Sequence, residues 1–245
     1  MEKSQPQNQY SLELKNIDFG YKSSKNILTD FSLSVKKGTI HGILGDNGAG
    51  KTTLFNLIFG FLNPTKGEIK TEKQKNIAFL QTENYFYPYT TGLEHLLLSS
   101  RFTDETKENQ KAIHQKINDW NELFELPLQD FAQNYSTGMK RKLSLLSILL
   151  LDKEIIILDE PFNGLDLQTS EIVHLIIQKL KKTGKTILVS SHILETIVRH
   201  ADEVSFLEKG KILHSYSKNE FEELNEFVST RFGKNNQEKI DTLLK

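Results

Sequence analysis

Cysteine is absent from the 245-residue sequence, so the chain forms neither disulfides nor thiolate metal sites. This composition suits a reducing compartment such as the cytosol. The sequence also has little net charge, because 31 basic residues are balanced by 32 acidic ones. A chain without an overall positive field does not bind nucleic acid through electrostatics alone, and no nucleic-acid partner is expected.

Long apolar runs are absent as well. The longest lies near residues 143–151, is interrupted by two serines and stops at Asp152, far short of the ~20 residues that span a bilayer. The first ten residues, MEKSQPQNQY, are polar and do not resemble a signal peptide, and residues 1–9 are expected to form a disordered lead. If the protein works at a membrane, we expect it to do so through a partner.

The most specific motif that is present is GDNGAGKTT, which fits the phosphate-binding pattern GxxxxGK[ST]. Its glycines let backbone N–H groups point at an anion, and a helix beginning near Gly50 adds its positive end. Lys51 supplies a charge for the β- and γ-phosphates, and the Thr52 hydroxyl can bind Mg²⁺. The nucleotide-binding residues predicted here are Gly45, Asp46, Asn47, Gly48, Ala49, Gly50, Lys51, Thr52 and Thr53.

Two carboxylates follow an apolar segment far along the chain. Residues 155–158, with the sequence IIIL, predict a strand buried on both faces, and Asp159 and Glu160 come directly after it. Adjacent carboxylates at a buried strand end are costly unless a cation or hydrogen bonds compensate. Asp159 is therefore the predicted Mg²⁺ ligand that complements Thr52, and Glu160 is the predicted general base for an attacking water.

The remaining pattern predicts an α/β protein with a largely parallel sheet, in one domain or in one domain with an added lobe. Alternation over residues 10–35 predicts two or three antiparallel strands, with turns at 22–25 and 36–38. Further strands are predicted at 39–44, 67–70, 76–80 and 185–190, with a hairpin at 204–216. Helices are predicted at 53–59, over residues 84–150 with a stop before Pro127, at 170–182 and at 194–200, and a weak helix from 219 leads into a polar tail.

The order of these pieces resembles the ATP-binding cassette of ABC transporters. Over about residues 10–217 the sequence follows that family's order of motifs: Tyr21, the phosphate loop, Gln81, the segment YSTGM at 135–139, ILDEP, NGLD at 163–166 and His192. The resemblance implies an α/β, P-loop NTPase fold with a RecA-like core, an N-terminal antiparallel β subdomain and an α-helical subdomain. The implied division of one domain, 1–245, is a β subdomain and core at 10–83 and 151–217, a helical subdomain at 84–150 and a short tail at 218–245.

The resemblance also implies roles for single residues. Tyr21 would stack on adenine, Gln81 would contact Mg²⁺ and the attacking water, and His192 would contact the γ-phosphate. Without the resemblance, Tyr21 would be interpreted as an aromatic residue of a strand, Gln81 as a polar residue at the end of a strand, and His192 as a structural histidine. The predicted catalytic residues are thus Glu160, His192, Lys51 and Gln81, and the predicted metal ligands are Thr52, Gln81 and Asp159.

The signature segment at 135–139 predicts a second anion site. Ser136 is a good helix N-cap, and Gly138 permits close backbone approach where the helix starts. In the family, this segment closes on the ATP held by the other cassette, and Asp166 resembles the loop that links the two sites. The sequence departs from the common LSGGQ pattern at Tyr135, Thr137 and Met139. The basic run at 140–142 can be interpreted as a nucleic-acid patch, but a solvated first helical turn is favoured.

Together these features predict the cytoplasmic energy subunit of a membrane exporter, which hydrolyses ATP with Mg²⁺. The implied partners are a second cassette, in a homodimer or a heterodimer, and integral membrane permease subunits. Export is favoured because the signature, followed by basic residues, resembles bacterial exporter-type systems. The aromatic stretch at 85–89 lies where the family's cassettes receive a helix from the membrane subunit, although ordinary packing between lobes is the simpler interpretation.

Two other functions are compatible with a cassette. One is a soluble ABC-type ATPase that acts on ribosomes or DNA, whose members usually carry two cassettes in one chain or a long coiled coil. The other is a degenerate cassette with a structural role, which predicts no ATPase activity. It is disfavoured because Lys51, Asp159, Glu160 and His192 are all present.

Overall fold

The computed structural model describes residues 9–21, 26–71, 76–83, 85–100 and 107–243, except for the side chains of 107–110 and 234–241. The expected lead therefore lies outside the described residues apart from residue 9, and the predicted turn at 22–25 lies outside them entirely. No helix in these ranges is both long enough and apolar enough to cross a membrane.

The described strands form two sheets. They are β1 (Tyr10–Phe19), β2 (Leu28–Lys36), β3 (Ile40–Leu44), β4 (Lys66–Thr71), β5 (Ile77–Leu80), β6 (Ile155–Leu158), β7 (Thr186–Ser191), β8 (Glu203–Glu208) and β9 (Lys211–Ser217). The smaller sheet has the order β2-β1-β4 and is antiparallel. The larger has the order β5-β6-β7-β3-β8-β9, and its strands are parallel except for β9. The predicted mixture of an antiparallel sheet and a parallel sheet is confirmed.

Helices cover both faces of the larger sheet. They are α1 (Lys51–Phe59), α2 (Gly92–Ser100), α3 (Lys107–Phe124), α4 (Thr137–Leu150), α5 (Leu167–Lys182), α6 (Leu194–Val198) and α7 (Phe221–Leu243). One apolar cluster joins α2, α3, α4 and α5 to one side of the sheet, and a second joins α1 and the smaller sheet to the other side. The larger sheet is thus the central layer of the molecule.

The buried strands determine where the functional loops lie. Every residue of β3, β5, β6 and β7 is buried, as the continuous apolar runs predict for parallel strands covered on both faces. Parallel strands end at the same edge of a sheet, so the loops after these four strands meet there. This edge of the sheet therefore brings together the phosphate loop, residues 81–83, residues 159–166 and His192.

Several boundaries differ from those predicted. Residues 85–91 and 125–131 are not helical, and an isolated bridge between Thr91 and Phe131 joins the two stretches. The second interruption follows from Pro127, as the sequence predicts, because proline ends the helix that precedes it. Helix α5 begins three residues earlier than predicted because Asp166 caps it. Helix α7 continues through much of the segment that was expected to be a tail.

A chain of polar side chains crosses three strands of the larger sheet, from the buried His41 and Ser205 to the exposed Ser215. His41 Nε2 lies 2.9 Å from Ser205 Oγ, which lies 2.7 Å from Ser215 Oγ. Burial lowers the pKa of His41 to about 4, and the charge of Lys36 adds to this effect. His41 is therefore neutral at physiological pH and has a structural role, as its position in a buried strand predicts.

Candidate functional site

The phosphate loop connects β3 to α1 and holds its own lysine. Gly50 precedes the helix with φ of 111°, a conformation that side-chain-bearing residues rarely adopt. Lys51 is buried, and its Nζ donates to the carbonyls of Gly45 at 2.6 Å and Asp46 at 3.2 Å. The same Nζ lies 3.4 Å from Oε1 of Glu160. The lysine charge is thus fixed between the loop and the predicted base.

Asp159 contacts the start of α1, the segment after β5 and strand β7. Its Oδ2 accepts hydrogen bonds from Thr52 Oγ1 and Thr82 Oγ1, each at 2.7 Å, and its Oδ1 accepts one from Ser190 Oγ at 2.5 Å. The predicted pairing of Thr52 with Asp159 is therefore present, across 107 positions of sequence. Hydroxyl and carboxylate oxygens are the ligands that Mg²⁺ prefers, so this group of oxygens fits the ion. Sequence reasoning did not identify Thr82 or assign a role to Ser190.

Gln81, the other predicted metal ligand, directly follows β5 and is half-buried. Its backbone carbonyl accepts a hydrogen bond from Arg141 at 2.6 Å, and the neighbouring Thr82 contacts Asp159. The structure thus brings Gln81 to the edge of the sheet that bears the site. A metal contact by its side chain stays a prediction.

Glu160 is buried and has an unusual backbone. Its φ of 49° lies in the left-handed region that non-glycine residues rarely occupy. The Glu160 N–H donates to Ser190 Oγ at 2.9 Å, and Oε1 lies 3.0 Å from His192 Nδ1. The carboxylate therefore lies between two nitrogens, those of Lys51 and His192, at the end of the central strands. The predicted base and the predicted γ-phosphate sensor are in direct contact.

An open cleft of about 650 Å³ lies in front of these groups. Its lining comes from the segment before β2, the phosphate loop with the start of α1, the strand-end loops and the turn after β8: Asn26, Ile27, Asp46, Asn47, Gly48, Gly50, Lys51, Thr52, Thr53, Thr82, Asp159, Glu160, Asn163 and Lys209. Tyr21 lies after β1, is 47% exposed, and presents its ring edge-on to Phe19 at 5.2 Å. Stacking of Tyr21 on adenine stays a prediction.

The signature segment begins α4, as predicted. Ser136 caps this helix by accepting a hydrogen bond from the N–H of Met139 at 3.2 Å. A Cβ added to Gly138 would lie 3.1 Å from the Gly164 carbonyl oxygen, so this glycine allows α4 to approach the loop after β6. Ser136 is exposed at the start of the helix, where free N–H groups favour an anion.

The tyrosine that departs from the common signature has a structural explanation. Tyr135 is buried, and its hydroxyl donates to the Pro127 carbonyl at 2.7 Å. The same hydroxyl lies beside Gly92, where a Cβ would approach it to 2.3 Å. Tyr135 therefore fastens the start of α4 to the loop before it and to the first turn of α2.

Asp166 caps α5 in this structure. Its carboxylate accepts hydrogen bonds from the N–H and the hydroxyl of Thr169, each at 2.8 Å. These hydrogen bonds, the one from the backbone first, lower the pKa of Asp166 below its usual value. The residue thus orients α5, and a contact with nucleotide across an interface stays a prediction.

The prediction that the basic run at 140–142 is a solvated turn is wrong for Arg141. This side chain is only 4% exposed, and its guanidinium donates to backbone carbonyls at the ends of β5 and β6. A weak signal was present in the sequence, because Arg141 falls on the same helical stripe as Leu145 and Ile148. That stripe faces the core, which takes the arginine inward.

Comparison with known proteins agrees with this geometry. The sequence model of the ABC transporter family matches residues 28–163. The ABC transporter ATP-binding protein NatA of Bacillus subtilis (strain 168) is 34% identical over 200 residues, which cover 76% of this chain and 79% of NatA. The bacitracin transport ATP-binding protein BcrA of Bacillus licheniformis is 34% identical over 206 residues, which cover 79% of this chain and 65% of BcrA, so part of BcrA lies outside the match. The solved structure of an ATP-binding subunit of an ABC transporter has a TM-score of 0.78 at 27% identity and covers 91% of this chain and 93% of that one.

Proposed function

Because this chain belongs to the ABC transporter family of ATP-binding proteins, we propose that it is the ATP-hydrolysing energy subunit of a membrane exporter. The observation that carries this proposal is the meeting of Lys51 and Thr52 with Asp159 and Glu160 at one edge of the parallel sheet. The fold is that of an ABC ATPase cassette. Within it we assign residues 10–83 and 151–217 to the β subdomain and core, 84–150 to a helical subdomain and 218–245 to a tail.

The proposed chemistry is in-line attack of water on the γ-phosphorus of ATP. Glu160 takes a proton from the water as the new oxygen–phosphorus bond forms, and the bond from the γ-phosphorus to the β–γ bridging oxygen breaks. The products are ADP and phosphate. His192, 3.0 Å from Glu160 Oε1, orients the carboxylate, and Lys51 carries the positive charge that the phosphate oxygens meet.

The ion Mg²⁺ fits the oxygens that surround Asp159. Thr52 and Asp159 would hold it, with Gln81 as the expected third ligand, and its charge would neutralise the developing charge on the phosphates. In the parts of the chain that the structure describes, no three His, Asp or Glu side chains form a metal cluster. Phosphate oxygens of a bound nucleotide would complete the proposed coordination.

We also propose that two cassettes act together, as a homodimer or a heterodimer. The exposed, capped start of α4 at Ser136 supports this, since it offers N–H groups to a phosphate that a second cassette holds. Binding of ATP closes the pair in this scheme, and hydrolysis reopens it. Asp166 and Tyr21 keep the roles that the resemblance implies, at the interface and on adenine.

The proposed membrane partner is a permease subunit that binds at the cytoplasmic face. Tyr85, Tyr87 and Tyr89 support this proposal, because their side chains are 73%, 55% and 77% exposed in one loop before α2. Exposed aromatic side chains are enriched at protein interfaces. Export is supported by the Tyr-Ser-x-Gly-Met signature, and a role in transport is supported by the likeness to BcrA, whose name refers to bacitracin transport.

The test is copurification of the tagged full chain from detergent-solubilised membranes of its native cell, with mass spectrometry. We expect a multi-span membrane protein in stoichiometric amount. The matched control replaces Tyr85, Tyr87 and Tyr89 with serine, which should release that protein while ATP hydrolysis by the cassette is retained. Recovery of ribosomal proteins or DNA-bound factors without a membrane subunit would leave the ATPase chemistry standing and refute the transport role.

A further inference from the structure

The guanidinium of Arg141 lies between the signature helix and the two strand ends that carry the proposed catalytic groups. Its Nη1 donates to the Gln81 carbonyl at 2.6 Å. Its Nη2 donates to the carbonyls of Asp159 at 2.5 Å and Glu160 at 2.7 Å, and Nε lies 3.4 Å from the Pro161 carbonyl. One side chain of α4 therefore holds the backbone directly after β5 and directly after β6.

This arrangement depends on the shape of arginine. The guanidinium presents several N–H donors in one rigid plane, whereas a lysine ammonium is a single compact donor group on a flexible stem. Burial lowers the pKa of Arg141 to about 10, and the charges of Asp159 and Glu160 oppose that effect. The side chain therefore remains charged at neutral pH, and its hydrogen bonds to the carbonyls are charge-assisted.

The backbone of Glu160 is the part of this group that most needs support. A left-handed φ in a glutamate costs free energy and persists only where the surroundings enforce it. The Glu160 N–H is held by Ser190 Oγ at 2.9 Å, and the Glu160 carbonyl is held by Arg141 at 2.7 Å. These two hydrogen bonds hold the peptide groups on either side of the Glu160 Cα, from which the carboxylate extends toward Lys51 and His192.

We propose that Arg141 is a positioning residue that couples the signature helix to the catalytic carboxylate of the same chain. Helix α4 starts at Thr137, so Arg141 lies about one turn beyond the Ser136 cap. A shift of the helix start moves the rigid guanidinium, and with it the carbonyls of Gln81, Asp159 and Glu160. This inference rests on the proposed function, because it takes Glu160 as the base.

The consequence is a coupling within one cassette. Contact of a phosphate with Ser136 would change the orientation of Glu160 in the same chain, in addition to any effect on the site across the interface. The loop after β6 makes this route short, because its Gly164 carbonyl already lies against Gly138. The start of α4 and the end of β6 are thus joined at two points, one through a glycine contact and one through Arg141.

The test compares Arg141→Gln and Arg141→Lys with a matched control, Lys142→Gln, in the full chain. Lys142 is the next residue of α4 and also donates to a backbone carbonyl, but that carbonyl belongs to Phe124, away from the site. For each variant we would measure kcat and KM for ATP, the stoichiometry and affinity of ADP binding by calorimetry, and thermal unfolding.

We expect Arg141→Gln to lower kcat per ADP-binding site roughly 100-fold, as for a misplacement of about 1 Å at a catalytic group. KM and ADP affinity should change less than about threefold, because Lys51 and Thr52 are not contacted by this arginine and bind phosphate in the ground state. Arg141→Lys should recover about tenfold of the loss through its single ammonium. Lys142→Gln should behave like the wild type.

Other results would overturn the inference. A purely structural role predicts fewer ADP-binding sites and a lower unfolding temperature with an unchanged kcat per site. Equal losses in kcat and ADP affinity would place the effect on nucleotide binding instead, and failure of Arg141→Lys to fold would assign the residue to stability. A wild-type chain that binds ADP but hydrolyses no ATP would refute the proposed function itself, and the inference with it.

Discussion

Replacing Glu160 with glutamine tests the proposed base with little change in shape. The amide has the size of the carboxylate, and the backbone hydrogen bonds to Ser190 and Arg141 do not involve the side chain. The variant should therefore fold and keep the cleft. What changes is the proton acceptor and one negative charge, which lies 3.4 Å from Lys51 and 3.0 Å from His192.

The substitution should slow hydrolysis, through loss of the base, and strengthen nucleotide binding, through loss of the negative charge. Loss of a general base typically lowers the rate about 10²- to 10⁴-fold, so kcat should fall by that amount. The lost charge attracts the Lys51 ammonium at 3.4 Å with about 5 kcal/mol at an effective dielectric constant of ~20, before desolvation is counted. Without that competitor, Lys51 interacts more strongly with phosphates. The affinity for ATP should rise more than that for ADP, because repulsion between the carboxylate and the γ-phosphate is also removed.

The assay is single-turnover hydrolysis of ATP, together with size-exclusion chromatography in ATP or ADP. We expect Glu160→Gln to accumulate as an ATP-bound dimer and the wild type to do so only transiently. The control is Glu171→Gln, which removes an exposed carboxylate that pairs with Arg199 at 2.7 Å on the surface. Turnover by Glu160→Gln within about threefold of the wild type would show that this carboxylate is not the base.

Three further predictions concern the scaffold. His41 has a pKa of about 4 when folded and an ordinary one when unfolded, so the unfolded state binds more protons between pH 4 and 6.5. The contribution of His41 to the free energy of unfolding should therefore rise by about 3 kcal/mol across that range, and urea titrations of His41→Asn should show a rise that is smaller by this amount. Tyr135→Phe leaves the Pro127 carbonyl without its hydroxyl donor and should lower the free energy of unfolding by about 1 kcal/mol in urea, whereas an unchanged midpoint would contradict the assigned hydrogen bond. Gly138→Ala places a methyl 3.1 Å from the Gly164 carbonyl, so the start of α4 must move by a few tenths of an ångström. Steady-state turnover of ATP should fall roughly tenfold, and full activity would show that close approach of α4 to the loop after β6 is not required.

The parts of the site that were predicted from the sequence are those in which the residue type itself indicates the chemistry. The phosphate loop, Asp159 and Glu160 combine special backbone needs with charge at the ends of apolar strands, and such combinations are uncommon in a surface loop. The contact of Thr52 with Asp159 followed from the chemistry of the pair. The strand positions followed from the apolar runs in β6 and β7, which are typical of strands covered on both faces.

The parts that were missed depend on tertiary context. Arg141 lies in a basic run that is typical of an exposed helical turn, and only the inward face of α4 and the free carbonyls beyond β5 and β6 make it a buried donor. The helix cap that Asp166 forms with Thr169 was missed for a different reason, since the spacing of Asp and Thr allows it; the place of Asp166 at an interface stays a prediction. Thr82 has no distinctive pattern, since a threonine after a strand is common.

The position of β3 in the larger sheet determines when, during translation, the nucleotide site can form. This strand carries the phosphate loop at its end, yet its two neighbours are β7 and β8, which come far later in the chain. At a translation rate of about 5–20 residues per second, the strands that flank β3 are synthesised on the order of ten seconds after the phosphate loop. Until Glu208 has left the ribosome, the nascent chain cannot form the nucleotide cleft, so the ATP-binding half of the site is completed among the last events of folding.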